Sequence, residues 1–252
     1  MQLPAAKSIY FLSDFHLGAP NPTQSRLRED KLVRFFKQIA PHAQAVFIVG
    51  DMFDFWYEYR NVVPKGYVRL FGQLAALSDA GVALHFFAGN HDMWVKNYFQ
   101  QELNMAVHME PQIFQFNGKS FYVAHGDGLG PGDHGYKFLK KIFRNPLCQW
   151  MFGMLPPVVG MGLANYFSRK SREAVGANEA SFWGEDNEWL MIHSREVLNQ
   201  QHYDYFVYGH RHVPGIHPLP GGSTYVNLGD WITHFTYARF NGAQLTLEKF
   251  ED

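Results

Sequence analysis

Short apolar runs that stop on a glycine or directly on ionisable side chains recur along this chain, and they constrain its fold more than any other feature. Ile9–Leu12, Ala45–Val49 and Val82–Ala88 are such runs, followed by Ser13-Asp14, Gly50-Asp51 and Gly89-Asn90. Their length and continuous apolarity predict strands buried on both faces. Between them, Arg26–Ala40 places Leu32, Phe35, Phe36 and Ile39 on one helical face. Tyr67–Ala80 does the same with Leu70, Phe71, Leu74 and Leu77, and Gly81 suits a helix C-terminus. Strand–helix–strand alternation predicts an α/β sheet with right-handed crossovers. Asn117-Gly118, flanked by Ile113–Phe116 and Ser120–Ala124, predicts a hairpin. From about residue 134 to 201 the pattern is helical. Strand character returns at Tyr205–Tyr208, Thr224–Leu228, Phe235–Phe240 and Gln244–Phe250. The expected organisation is one domain over 1–252 with a helical lid inserted at about 134–201.

Composition narrows the function. Lys and Arg number 22 against 23 Asp and Glu, a formal net charge of −1, so no global field draws nucleic acid. A single cysteine excludes an internal disulfide or a Cys-rich zinc site and suits a reducing compartment. The apolar run after Lys7 is too short for a secretory leader, so a cytoplasmic location is expected. Thirteen histidines remain to be explained, and imidazole suits transition metals and proton transfer near neutral pH.

Five segments share one design, an apolar strand running into metal-binding residue types. They are Asp14-Phe15-His16, Gly50-Asp51-Met52-Phe53-Asp54, Gly89-Asn90-His91-Asp92, His125-Gly126-Asp127 and Gly209-His210-Arg211-His212. Ligands bind at the carboxyl ends of strands in open α/β sheets, so these ends are expected to converge. Any one fragment could be a surface pair, a helix cap or a turn. Five in succession point to a metal site. The donors are oxygen and imidazole nitrogen without thiolate, which fits Mn²⁺, Fe or Zn²⁺ rather than Cu. A carboxylate can bridge two cations through its two oxygens, and two metals roughly 3.5–4 Å apart clamp a phosphoryl group and acidify a water between them.

The order D-x-H, G-D-x-x-D, G-N-H-D, H-G-D, G-H-x-H from Asp14 to His212 resembles the calcineurin-like metallophosphoesterases. That resemblance implies a four-layer αββα sandwich with two divalent metals, most often Mn²⁺, at one end. It implies that Asp14, His16, Asp51 and His212 hold one metal, with Asp51 bridging to a second held by Asn90, His125 and His210. It further implies that His91 contacts the phosphate and protonates the leaving oxygen, with Asp54 orienting it. A carboxylate there would keep the imidazole cationic.

Residues 145–168 contain no charged side chain, and Pro156-Pro157 with several glycines breaks them into two pieces, against a membrane span. Lys137, Lys140, Lys141 and Arg144 precede this stretch, and Arg169, Lys170 and Arg172 follow it. An apolar hairpin with basic ends suits a membrane interface or an acyl-chain pocket; an ordinary lid packed on the core is the alternative. His125-Gly126-Asp127, Asp133-x-Gly135-Tyr136, Ser171-Arg172-Glu173-Ala174 and the Gly50–Trp56 run are similar to the branch of the family that hydrolyses UDP-2,3-diacylglucosamine in lipid A synthesis. That branch cleaves the pyrophosphate to UMP and 2,3-diacylglucosamine 1-phosphate at the cytoplasmic face of the inner membrane. The likeness implies substrate contacts from Asp133, Ser171 and Arg172. This chain departs from the branch at three places. His91 stands where Arg is usual, and Val175 and Asn178 stand where the branch has Asn and Lys.

A phosphodiesterase or nuclease could use the same core but would need a basic groove with aromatic stacking, which net −1 and an apolar lid do not suggest. A phosphoprotein phosphatase leaves the lid unexplained, and a non-catalytic scaffold would not be expected to retain all seven ligands. Cys148 suits a small buried apolar residue. His134 and His234 are further candidates to line the site, and the other unassigned histidines are expected at surfaces or in loops.

Overall fold

The computed structural model describes residues 1–132, 134–175 and 181–251, the side chains of 171–175 aside. The elements in order are β1 (Ser8–Leu12), α1 (Pro22–Ile39), β2 (Ala43–Val49), α2 (Val68–Asp79), β3 (Ala83–Phe87), α3 (Tyr98–Leu103), β4 (Ala106–His108), β5 (Gln112–Phe116) and β6 (Lys119–Ala124). They continue with α4 (His134–Phe143), α5 (Pro146–Gly153), α6 (Pro157–Val175), α7 (Trp189–Leu198), β7 (Tyr205–Tyr208), β8 (Gly215–Pro218), β9 (Thr224–Asn227), β10 (Thr236–Phe240) and β11 (Leu245–Lys249).

Two sheets stack face to face. One has the order β11-β10-β1-β2-β3-β4, in which β1 to β4 are mutually parallel and the β10–β11 hairpin joins antiparallel to β1. The other has the order β5-β6-β7-β9-β8, with β6, β7 and β9 parallel. Strand alternation explains the unbroken apolar runs. Ile9, Phe11, Ala45, Phe47 and Val49 face Phe121, Val123, Val207 and Val226 between the sheets. Tyr10, Leu12, Val46 and Ile48 face the other way, onto Leu32, Phe35 and Phe36 of α1 and Leu70, Leu74 and Leu77 of α2. On the outer face of the second sheet, Phe206, Tyr208 and Tyr225 pack on Leu190 and Met191 of α7. The layers are therefore helix, sheet, sheet, helix.

Helix α1 begins earlier than its apolar face suggests, because Asn21 accepts the Gln24 amide at 2.9 Å and Pro22 occupies the first helical position. Gly81, at φ +82°, closes α2 by donating to the Ser78 carbonyl. Three elements have too little periodicity to be legible in sequence. They are the three-residue β4, the six-residue α3 without a side-chain cap, and β8, whose Pro218 is tolerated because the strand lies at a sheet edge. Between β6 and β7 the described residues form only helices, and Pro156-Pro157 separates α5 from α6. No helix among the described residues is long and apolar enough to cross a membrane.

Candidate metal centre

Parallel pairing brings the carboxyl ends of β1, β2, β3, β6 and β7 to one edge of the sandwich, and the five motifs lie there. The loops are locked to one another by main-chain bonds. Asp14 N donates to Gly50 O at 3.1 Å, His16 N to Asp51 O at 2.9 Å, and Gly209 N to His125 O at 3.0 Å. Asp14, His16, Asp51, His210 and His212 all have positive φ, a conformation costly for residues with a Cβ. Such strain costs on the order of 1–3 kcal/mol per residue and persists where surrounding structure imposes it. Glycine is required at position 89, where a Cβ would overlap Asp51 Oδ1, and at position 50, where it would overlap the His125 ring.

The side chains form two adjoining cages. In the first, His212 Nε2 lies 3.1 Å from Asp14 Oδ1 and 3.3 Å from His16 Nε2, which is 3.5 Å from Asp51 Oδ2. In the second, His125 Nε2 lies 3.5 Å from Asp51 Oδ2 and 3.2 Å from Asn90 Oδ1, itself 3.0 Å from His210 Nδ1. All seven donors expected from sequence are thus brought together. A single oxygen of Asp51, Oδ2, faces both cages, whereas Oδ1 accepts the His91 amide at 2.9 Å.

The cages suit divalent cations. Asp14 Oδ1 is buried and accepts no hydrogen bond, while Oδ2 of the same carboxylate is held by Ser13 Oγ and the His210 amide. A buried carboxylate oxygen left over in this way needs a cation or donor. His125 donates Nδ1–H to the Val49 carbonyl at 2.8 Å, which leaves its Nε2 lone pair for a metal. Burial raises the Asp51 carboxyl, but His125, His91 and His16 outweigh it and hold it well below the usual range. Burial lowers His125, but Asp51 outweighs it and the ring rises to about 10. A cation competing for the same lone pair would displace that proton.

His91 sits beside the first cage, its ring 4.7 Å from that of His16. Its Nδ1 lies 3.0 Å from the Asp54 main-chain carbonyl and 3.8 Å from the Asp54 carboxylate, which is 3.7 Å from His16 Nδ1. The hydrogen bond expected from the Asp54 carboxylate is therefore made by its main-chain oxygen. The charge on His91 is set by more than Asp54. Burial pushes the ring down to about 4, outweighing the upward pull of Asp51, and nearby His16, His125 and His212 add to the fall.

Asp92, Asp127 and Tyr136 lie in the quoted motifs without a role assigned to them, and Arg28 and Ser168 carry no sequence signal of their supporting roles. Asp92, fully buried, accepts Met52 N at 2.7 Å, Phe53 N at 3.3 Å and Gly89 N at 2.9 Å, and so joins two of the motif loops. Burial, reinforced by Asp51, raises it to about 7. Arg28 of α1 donates to the carbonyls of Phe15, His16 and Ala19. Asp127 accepts Tyr136 Oη at 2.6 Å and pairs with Lys140 at 2.5 Å, fastening α4 to the His125 loop. Ser168 of α6 places Oγ 3.1 Å from His91 Nδ1.

Of the predicted substrate contacts, Asp133 lies outside the described residues, as does Asn178. The side chains of Ser171, Arg172 and Val175 do too. The basic ends of the apolar stretch are not wholly solvated. Lys137 donates to Gly130 O, Lys140 to Asp127 O, and Arg144 to Met109 O. Cys148 is half-buried rather than core. His85 and His108 are not surface histidines: they stack between Phe47, Phe87 and Phe114 with Nδ1 to Nε2 at 3.0 Å.

A calcineurin-like phosphoesterase family model matches residues 7–214. UDP-2,3-diacylglucosamine hydrolase of Porphyromonas gingivalis is 38% identical over 97% of this chain and 98% of that protein. The protein of the same name in Edwardsiella ictaluri is 27% identical over 94% of this chain and 90% of its own length. Among solved structures, Yfce, a phosphoesterase from E. coli, is 17% identical with a TM-score of 0.46, covering 96% of this chain and 92% of that one.

Proposed function

The chain belongs to the calcineurin-like phosphoesterase family, and from that premise we propose that it hydrolyses the pyrophosphate of UDP-2,3-diacylglucosamine to UMP and 2,3-diacylglucosamine 1-phosphate. The observation that carries this reading is the full-length likeness to a hydrolase of that name, in a chain whose seven donors form two cages that meet at Asp51.

Asp14, His16, Asp51 and His212 would hold one divalent cation and Asp51, Asn90, His125 and His210 the other, Mn²⁺ suiting the oxygen and imidazole donors. Bound there, such ions neutralise phosphoryl oxygens and acidify a water at neutral pH. The chain's own groups do the rest. His91, held through Nδ1 by the Asp54 carbonyl, would present its other ring nitrogen, Nε2, to the scissile phosphate. The pyrophosphate anion opposes the effect of burial on this ring and favours its protonated form, which then neutralises charge on the departing phosphate. The leaving group is itself a phosphate and a weak base, so positive charge there matters more than complete proton transfer.

Of the lid expected at about 134–201, helices α4 to α6 serve in this reading as the cover over the diacyl sugar and as the contact with a membrane surface, α7 being a layer of the sandwich itself. Trp150, Met154, Val158, Val159 and Phe167 are all more than half exposed, an unusual apolar concentration, with Lys141 and Arg169 exposed nearby. Asp133, Ser171 and Arg172 are assigned to the sugar diphosphate. A cytoplasmic, peripheral position on the inner membrane follows from the substrate. Mass spectrometry of products from the Mn²⁺-loaded protein and UDP-2,3-diacylglucosamine tests the proposal. UMP with the diacyl sugar phosphate is expected; no cleavage, with bis-p-nitrophenyl phosphate still hydrolysed, rejects the substrate.

A further inference from the structure

Strand β9 ends on the same edge as the donor-bearing strands, and the turn after it, Leu228-Gly229-Asp230-Trp231, carries a buried carboxylate. Asp230 Oδ1 accepts three amides, from Ile232 at 2.7 Å, Thr233 at 2.6 Å and His234 at 3.2 Å. Three donors on one oxygen fix the plane of the carboxylate. The turn is pinned to the metal centre, because Trp231 N donates to the Asp14 main-chain oxygen at 3.1 Å. Gly229 is packed so closely that a Cβ would overlap Thr236 Oγ1 and Pro214, just beyond the His210–His212 loop.

With Oδ1 engaged, Oδ2 faces two imidazoles. His234 Nδ1 lies at 2.9 Å, on a side chain that is 42% exposed, and His212 Nδ1 lies at 3.7 Å. The other nitrogen of His212, Nε2, points into the first cage, 3.1 Å from Asp14 Oδ1. A neutral imidazole has one N–H and one lone pair. A fixed carboxylate on the Nδ1 side attracts the proton there and leaves the Nε2 lone pair for a cation.

We propose that Asp230 is the positioning residue for His212, setting its tautomer and thereby the cation affinity of the first cage alone. The inference rests on the two-cation reading of the centre. Its selectivity comes from geometry: Asp230 faces His212, while His125 of the second cage takes its tautomer from the Val49 carbonyl. His234 braces the same oxygen from the solvent side.

Asp230→Asn separates this role from a purely structural one. The amide oxygen can still accept from residues 232–234, but an NH₂ now faces His212 Nδ1 and favours the tautomer that blocks Nε2. In calorimetric Mn²⁺ titrations of the full chain, this variant should weaken one of two binding events about 10- to 100-fold and leave the other within about twofold. Long-range ¹H–¹⁵N spectra of the metal-free chain, with His212 assigned through His212→Gln, should show a larger Nδ1–H population in the wild type than in D230N, Asp14 Oδ1 competing for a proton at Nε2 in both. Wild-type affinity at both events in D230N overturns the proposal, and so does an unchanged balance of His212 tautomers. If D230N does not fold, Asp230→Ser, which keeps an acceptor for the turn amides and removes the carboxylate from His212, decides by the same two readouts. A wild-type chain that binds no Mn²⁺ would instead overturn the two-cation reading itself.

Discussion

The hydroxyl of Ser168, on helix α6, lies 3.1 Å from Nδ1 of His91, the same nitrogen that meets the Asp54 carbonyl at 3.0 Å. A residue of the helical segment thus helps hold the imidazole proposed to face the scissile phosphate. Removing the hydroxyl leaves the Asp54 bond in place, so Ser168→Ala should lower kcat about three- to tenfold, the worth of one neutral hydrogen bond. Ser168→Thr should restore most of it. Steady-state kinetics with metal content measured in parallel checks this; unchanged kcat in the alanine variant sinks the idea.

His91→Ala removes the imidazole itself. Turnover should fall about 10²- to 10⁴-fold. Bound metal, measured by elemental analysis, should stay near wild type, because none of the seven cage donors is touched. Loss of metal from this variant would make His91 a structural group.

Asp92 is the buried hub between two motif loops. Asp92→Ala strands the amides of Met52, Phe53 and Gly89, each of which needs an acceptor. Unfolding free energy should drop by about 2–5 kcal/mol, and metal affinity should fall with it. Denaturant titration of the metal-free chain is the measurement. Asp92→Asn, which keeps one acceptor, should recover part of the loss.

The His85–His108 pair gives a pH dependence remote from the metal centre. Burial, with a smaller contribution from His108, lowers His85 to about 4, and burial lowers His108 as well. Both folded values lie below the ordinary 6.5, so above that pH neither state is protonated and the pair contributes no slope. As pH falls from about 6.5 toward 4, the unfolded chain takes up protons that the folded one resists, and stability is lost across that window. His85→Phe, which keeps the stack on Phe47, should flatten the melting-temperature profile between pH 6.5 and pH 4 relative to wild type. Parallel profiles in the two proteins would show that the pair does not titrate in this way.

The exposed apolar side chains of α5, α6 and the turn between them should govern lipid contact without altering the chemistry. Met154→Asp with Val158→Asp places two charges where the side chains are 67% and 86% exposed. Co-sedimentation with anionic vesicles should weaken several-fold, while hydrolysis of bis-p-nitrophenyl phosphate should be unchanged. Equal vesicle binding by the double variant would assign the surface to another partner.

Sequence by itself determined the donor set and its place in the fold. An unbroken apolar run can be buried only if both faces are covered, which made Ile9–Leu12 and Ala45–Val49 inner strands. Their carboxyl ends then had to carry Asp14, His16 and Asp51 to one edge. Only the tertiary structure decided how those groups are held. The plane of the Asp51 carboxylate is fixed by the amide of His91, and whether Asp54 meets His91 by carboxylate or carbonyl depends on a loop more than thirty residues away. The role of Asp230 depends on His212 arriving beside it. Periodicity records which face of an element is buried, but the choice among hydrogen-bond partners is made by segments distant in sequence, at a resolution of tenths of an ångström that no local pattern encodes.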